Sequence, residues 1–209
     1  TPPGAEAAGS EIFAWNEMEG AFRLEDVTLS PAFFDVKKLV AFNKQYIKNL
    51  PLDDFLTAVD GELPDDWDRE RFAAIAPHIM ERLERLGDAP ALVEFLFLPD
   101  GADPDIDDAA WAKAVKPEWA DSFLVEITEA YASFGPDEWR TDKLKATMEA
   151  LMLPYEIKLG KAQALPRVAV TGRAVGPPLF EALEVLGQNE TVRRLRAAVT
   201  RLASKTEAD

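Results

Sequence analysis

Apolar residues recur at helical spacing along nearly the whole chain. Val36, Leu39, Val40, Phe42, Tyr46, Ile47 and Leu50 form one stripe, with Asp35 placed to cap its start and Pro51 to end it. Ser30-Pro31 ahead of it reads as a turn or a helix start. Asp53 opens a short helix closed by Gly61. A further helix begins near Asp66 and carries Phe72, Ile75, Ile79, Met80, Leu83 and Leu86. Pro77 is expected to split it, because an interior proline removes a hydrogen bond and clashes with the preceding turn. Gly87 fits the position just past a helix end, and Asp88 fits the cap of Pro90–Phe97. Pro117 opens a helix carrying Trp119, Phe123, Leu124, Ile127 and Tyr131. Gly135-Pro136 is the clearest internal boundary, and a helix over roughly Thr141–Met152 follows it. Two more helices follow Pro178 and Asn189, the latter a natural N-cap. Only Val168–Thr171 reads as a strand, and it is too short to carry a sheet. The expected fold is all-α: two packed helical bundles preceded by a short helical connecting segment, with divisions at 1–50, 51–135 and 136–209.

Composition and charge narrow this picture. The chain has 209 residues, 47% of them hydrophobic, which suits a packed core. No apolar run approaches the ~18 residues needed to cross a membrane. The opening Thr1-Pro2-Pro3-Gly4-Ala5 lacks the basic and apolar regions of a secretory signal. Cysteine is absent, which removes disulfides, cysteine zinc sites and thiol nucleophiles and fits a cytoplasmic protein. The net charge of −15 argues against nucleic acid when taken alone. Its distribution argues otherwise. Residues 51–138 carry 23 acids against 6 bases, whereas residues 156–201 carry 8 bases against 4 acids. The last part of the chain can meet RNA, and the middle largely repels it.

Catalytic patterns are missing. The single histidine, His78, cannot supply the pair that a metalloprotease helix needs, and no serine stands near it. It reads as a core or surface histidine. Neither GxxxxGK[ST] nor GxGxxG occurs. Asp103, Asp105 and Asp107 have the spacing of the first EF-hand ligands. Asp108 then stands where glycine is needed and Ala114 where a bidentate glutamate is needed, so a helix-capping loop is the better reading and no metal site is expected. The residues alone lead to an all-α domain with a basic C-terminal third and no catalytic constellation.

A resemblance carries the reading further. Arg167-Val-Ala-Val-Thr-Gly-Arg-Ala-Val-Gly-Pro-Pro-Leu-Phe-Glu181, Val185-Leu186-Gly187 and Arg193-Arg194-Leu195-Arg196 strongly resemble the C-terminal signature of bacterial glutamyl-tRNA synthetases. Phe22-Arg-Leu-Glu-Asp-Val, Ser30-Pro31, Phe34-Asp35, Lys38-Leu39, Asn43 and Tyr46-Ile47 are similar to the same family, as is Leu159-Gly160-Lys161 ahead of Pro166-Arg167. The resemblance covers roughly residues 11–203. The family's HIGH-like and KMSKS-like ATP signatures are absent and would lie N-terminal to Thr1. The resemblance therefore implies a tRNA anticodon-binding region without a catalytic site. The intact ligase would use ATP and Mg to charge tRNA(Glu); this chain needs no cofactor. Its implied partner is tRNA, not DNA or a membrane, and it is expected to be a monomer. The contrasting reading is a helical protein-interaction module that has lost tRNA binding, motivated by the net charge.

The resemblance also implies site residues. Arg82 takes the role of reading the third anticodon base, with Arg85 one turn away as runner-up; the alternative is an exposed arginine paired with Glu81, Glu84 or Glu94. Arg167 is implied to contact the loop, or to cap or form an ion pair. In Gly176-Pro177-Pro178-Leu179-Phe180 the prolines stiffen the turn, Gly176 tolerates close approach, and Pro177, Leu179 or Phe180 can face an unstacked base. Phe180 can equally be the core anchor of the following helix. Arg173, Arg193, Arg194 and Arg196 are candidate phosphate contacts or simply a solvated face.

Overall fold

The computed structural model of the chain describes residues 15–26 and 35–206. The Ser30-Pro31 turn lies outside the described residues. Among those described there are helices and loops and no strand, so the fold is all-α as expected.

The chain opens with α1 (Trp15–Ala21) and α2 (Val36–Asn49). Asp35 caps α2 as its sequence position suggests, its carboxylate accepting from the backbone N–H groups of Lys37 at 2.9 Å and Lys38 at 3.1 Å. The stripe on α2 is largely exposed: Val36, Leu39 and Tyr46 face solvent and only Ile47 enters the core. The helices α3 (Leu52–Val59) and α4 (Arg69–Ile79) follow, and Asp68 rather than Asp66 caps α4. Pro77 does not split α4. The helix runs on to Ile79 and tightens into a 3₁₀ turn over Met80–Arg82, so the break falls after the proline, at Arg82. Gly87 lies inside a second 3₁₀ turn and is not a helix terminator. Asp88 accepts from the Arg85 N–H instead of capping α5 (Ala89–Val93) with its side chain.

The second half comprises α6 (Asp108–Ala114), α7 (Ala120–Ala132), α8 (Thr141–Leu151), α9 (Leu159–Ala162), α10 (Ala164–Thr171), α11 (Leu179–Leu186) and α12 (Gln188–Thr206). The strand-like Val168–Thr171 is the last part of α10. Val168 and Val170 are buried there, and packing overrides their β preference. α12 begins at Gln188, so Asn189 is in its first turn and not its cap.

α12 packs along α7 and against α10 and α11; α11 lies on α8 and α4, joining the two halves of the chain. The buried apolar side chains form one cluster from Ile47 to Leu202. Residues near Gly135 are held by side chains on both sides of that turn. Tyr131, Phe134 and Trp139 meet edge to face with centroids 5.6–6.0 Å apart. Trp139 donates its indole N–H to the Leu183 carbonyl at 2.9 Å, and the Gln188 amide donates to the carbonyls of Tyr131 and Phe134. Tyr131 is fully buried; its hydroxyl donates to the Leu144 carbonyl, and burial pushes its pKa far up.

Gly172 ends α10 in the left-handed region at φ 77°. Its carbonyl accepts from the Asp107 N–H at 2.9 Å, and a Cβ there would overlap the Asp105 carbonyl oxygen and stand 3.3 Å from the Pro104 Cβ. Gly101 has a similar φ of 78° with open space around it. Gly101→Ala is therefore expected to cost only the left-handed penalty of about 1–2 kcal/mol. Gly172→Ala adds a backbone clash and is expected to cost about 3 kcal/mol or more. Urea unfolding of the two variants checks this, and equal losses would show that the close approach carries no energy.

Candidate nucleic-acid interface

The candidate site begins at the end of α10. The Thr171 hydroxyl donates to the Arg167 carbonyl at 2.9 Å and accepts from the Arg173 N–H at 3.2 Å, which turns the chain sharply after the helix. The loop then returns past Arg167. One guanidinium nitrogen of Arg167 donates to the Pro177 carbonyl at 2.6 Å and would lie 3.7 Å from a Cβ at Gly176. Gly176 and Pro177 are both buried. Arg167 thus braces the loop that the sequence singled out.

Contact of α11 with α4 brings a second arginine close. Arg82 sits at the end of the 3₁₀ turn after α4, near enough to act on Arg167 electrostatically. Burial lowers the Arg167 pKa, the neighbouring Arg82 charge lowers it further, and Glu181 partly offsets both. Arg82 is exposed and forms no ion pair among the described residues. Of the acids expected as its partners, Glu81 pairs with Lys48 at 3.2 Å and Glu94 with Arg173 at 3.4 Å, while Glu84 forms no ion pair among the described residues. Arg85 does not share a helical face with Arg82, because Leu83 at ψ 134° and Arg85 at ψ 153° are extended. The result is two guanidinium groups near each other, with Glu181 the carboxylate that acts on Arg167, and a cluster of rigid N–H donors.

Other expected residues have different surroundings. Leu179 and Phe180, 1% and 5% exposed, lie in the first turn of α11 and pack into the core, leaving almost no surface for a base. The large apolar side chain that the loop does expose is Val175, at 76%. Sequence reasoning passed over it because it fell between the conspicuous Arg173 and the prolines. Arg194 is 2% exposed; it donates to the Glu190 carboxylate and to the carbonyls of Phe95 and Val170 at 2.8–2.9 Å. Its guanidinium is internal, so it cannot reach a phosphate. Arg193 is held by Glu190, Asp103 and the Ala102 carbonyl at 2.7–2.8 Å. Arg173 is exposed beside Glu94, and Arg196 is exposed without an ion pair among the described residues. Of the acidic loop, Asp103 pairs with Arg193 and Asp107 caps α6 through the Ala110 N–H at 2.7 Å.

Residues 36–199 match the family model described as an anticodon binding domain. The chain belongs to the anticodon-binding-domain family. It is 45% identical over 210 residues to a glutamate–tRNA ligase of Salinispora tropica, covering 95% of this chain and 44% of that protein. It is 46% identical over 208 residues to a glutamate–tRNA ligase of Frankia alni, covering 96% of this chain and 43% of that protein. The chain thus spans less than half the length of these curated relatives. The fold is similar to that of a glutamate–tRNA ligase from Elizabethkingia meningosepticum, with a TM-score of 0.76 at 24% identity over 93% of this chain and 38% of that one. Within this anticodon-binding-domain fold, the Arg82–Arg167 pair and the loop to Pro177 lie inside the matched region.

Glu190 is the acid on which Arg193 and Arg194 both depend. Its hydrogen bond with Arg193 lowers its pKa, and Arg194 adds to this against a contrary effect of burial. Protonation therefore favours the unfolded chain. The stabilisation is complete above the ordinary glutamate value of 4.5 and is lost as pH falls through the lower folded value. Glu190→Gln is expected to cost about 3 kcal/mol at pH 7, because it leaves the buried Arg194 charge uncompensated. The loss should shrink below pH 4, which denaturant melts across pH 3–8 would read; a pH-independent difference would mean that the carboxylate charge plays no part.

Proposed function

We propose that the chain is the tRNA anticodon-binding region of a glutamate–tRNA ligase, an enzyme that charges tRNA(Glu) with glutamate. The observation that carries this reading is the pairing of an exposed Arg82, free of ion pairs among the described residues, with the half-buried Arg167 inside the matched family region. The names borne by the relatives supply the substrate. ATP and Mg belong to the whole enzyme in this reading, and the chain alone binds RNA as a monomer in the cytoplasm without catalysing the ligation. The division at residues 50 and 135, with two helical subdomains sharing the anticodon loop, is part of the same proposal.

Anticodon bases are unstacked and offer their Watson–Crick edges to side chains. Arg82 takes the third base. Glutamate anticodons end in cytosine, whose O2 and N3 are acceptors, whereas the related glutamine anticodons end in guanine, which presents N–H donors there. A guanidinium only donates, so it matches the first edge and opposes the second. Arg167 holds the loop and adds positive charge beside Arg82. Gly176 and Pro177 set the path of the loop, and Leu179 and Phe180 serve it by anchoring α11. Val175 offers the apolar contact. Arg173 and Arg196 remain candidates for phosphate; Arg193 and Arg194 are reassigned to holding the fold together.

Binding of the chain to stem-loop RNAs that carry glutamate or glutamine anticodons tests this reading. The wild type should prefer the glutamate loop by about tenfold or more, since a buried group left unpaired costs ~1–3 kcal/mol. Its log affinity should fall with log salt by ~0.7 per neutralised phosphate. Arg82→Gln should narrow the gap between loops more than it lowers mean affinity. Equal loss on both loops would reduce Arg82 to a phosphate contact, and no binding at low salt would favour the protein-interaction reading.

A further inference from the structure

A second pair of basic side chains lies beside α10. α6, α9, α10 and the approach to α7 border a half-open cavity of about 420 Å³, within the usual range for small-molecule sites. Its walls are Ala114, Pro117, Trp119, Ala164 and Val168, and Ala174 of the loop after α10 also lines it. Among the described residues, the charged side chains that line it are Lys113 and Lys161. Both are exposed, as are Lys116 and Lys158 beside them in the chain, and none of the four forms an ion pair or side-chain hydrogen bond among the described residues. The acids adjacent in sequence, Glu118 and Glu156, are exposed and do not line the cavity. In a chain of net charge −15, an otherwise apolar recess lined by two lysines without ion pairs among the described residues suits an anionic ligand.

The aromatic wall is packed against its neighbours. Trp119 meets Phe123 edge to face at 5.9 Å, and Tyr155 lies 6.3 Å from it. Tyr155 is itself tied to Glu126 by its hydroxyl at 2.8 Å. An indole beside small side chains suits a flat ring, and lysines suit the phosphate attached to it. The cavity is also continuous in sequence with the Arg82–Arg167 site. Val168 follows Arg167 on α10, and Ala174 lines the cavity two residues before Gly176 reaches Arg167.

We infer that this cavity receives one unstacked nucleotide of the RNA whose anticodon bases lie at Arg82 and Arg167, with its base against Trp119 and Ala164 and its phosphate between Lys113 and Lys161. The inference rests on the proposed anticodon-binding function and extends the RNA contact along α10.

Stem-loop RNA with a glutamate anticodon is the probe, its affinity measured across a salt series. The double variant Lys113→Ala/Lys161→Ala should weaken binding about tenfold at low salt and reduce the salt slope by ~0.7 for each phosphate it no longer neutralises. Ala164→Phe, which fills the cavity without changing charge, should weaken binding with the slope unchanged. Thermal melts check that each variant is folded; the lysine variants change only exposed side chains and keep the test open if the fold does not tolerate Ala164→Phe. Unchanged affinity in the lysine variants, alongside a loss in Arg82→Gln, overturns the cavity assignment and leaves the anticodon reading standing. Failure of the wild type to bind the stem-loop overturns both. Free uridine 5′-monophosphate is the control for the source of the nucleotide: saturable binding abolished by the lysine changes, with RNA affinity unaltered, assigns the cavity to a mononucleotide and overturns the inference.

Discussion

The guanidinium of Arg194 lies inside the protein, and three separate pieces of chain converge on it. It donates to Glu190 one turn back on α12, to Val170 near the end of α10, and to Phe95 in the 3₁₀ turn after α5. The two carbonyls come from the final turn of a helix and from a 3₁₀ turn, where backbone acceptors lack regular partners. A buried charge is tolerated only when paired and hydrogen-bonded, so the three pieces must arrive together. The same helix end that Arg194 receives fixes Gly172, the returning loop and the Arg167 guanidinium. The loop to Pro177 is thus held from behind by an internal guanidinium and its partly exposed partner, Glu190.

Much of this fold was legible from the chain itself. Asp35 capped α2 as its position suggested, and the helices after Gly135 and Pro178 began close to where the pattern placed them. The departures have physical causes. Val168–Thr171 looked extended because β-branched residues favour strands, but it is buried against α12 and α6 and stays helical until Gly172. Pro77 looked like a breaker, yet the lost hydrogen bond cost less than the burial of Ile75, Ile79 and Met80 on either side of it. Arg82 was singled out through resemblance alone; its proximity to Arg167 accompanies the packing of α11 on α4, which no local pattern announces.

Arg194 shows a different kind of miss. A cluster of arginines on a terminal helix suggests a solvated face. The helical period told more: Thr191, Leu195, Ala198 and Leu202 are all buried, and position 194 lies on their stripe. Arg193 and Arg194 differ by one step around the helix, and that step separates a partly exposed clamp from an internal one. The net charge of −15 is equally uninformative by itself, because a sum over the chain says nothing about fields at its surface.

The acidic stretch before α6 looks like a loop free to vary, and loops usually are. It is fastened at two points. Arg193 holds Ala102 and Asp103, and the carbonyl of Gly172 holds the N–H of Asp107 while Pro104 is buried between them. Evolution can exchange the exposed side chains along this stretch, but it cannot readily change the number of residues between the fastenings. Insertions among related proteins should therefore collect outside positions 102–107, and the length of this short segment should drift more slowly than its letters.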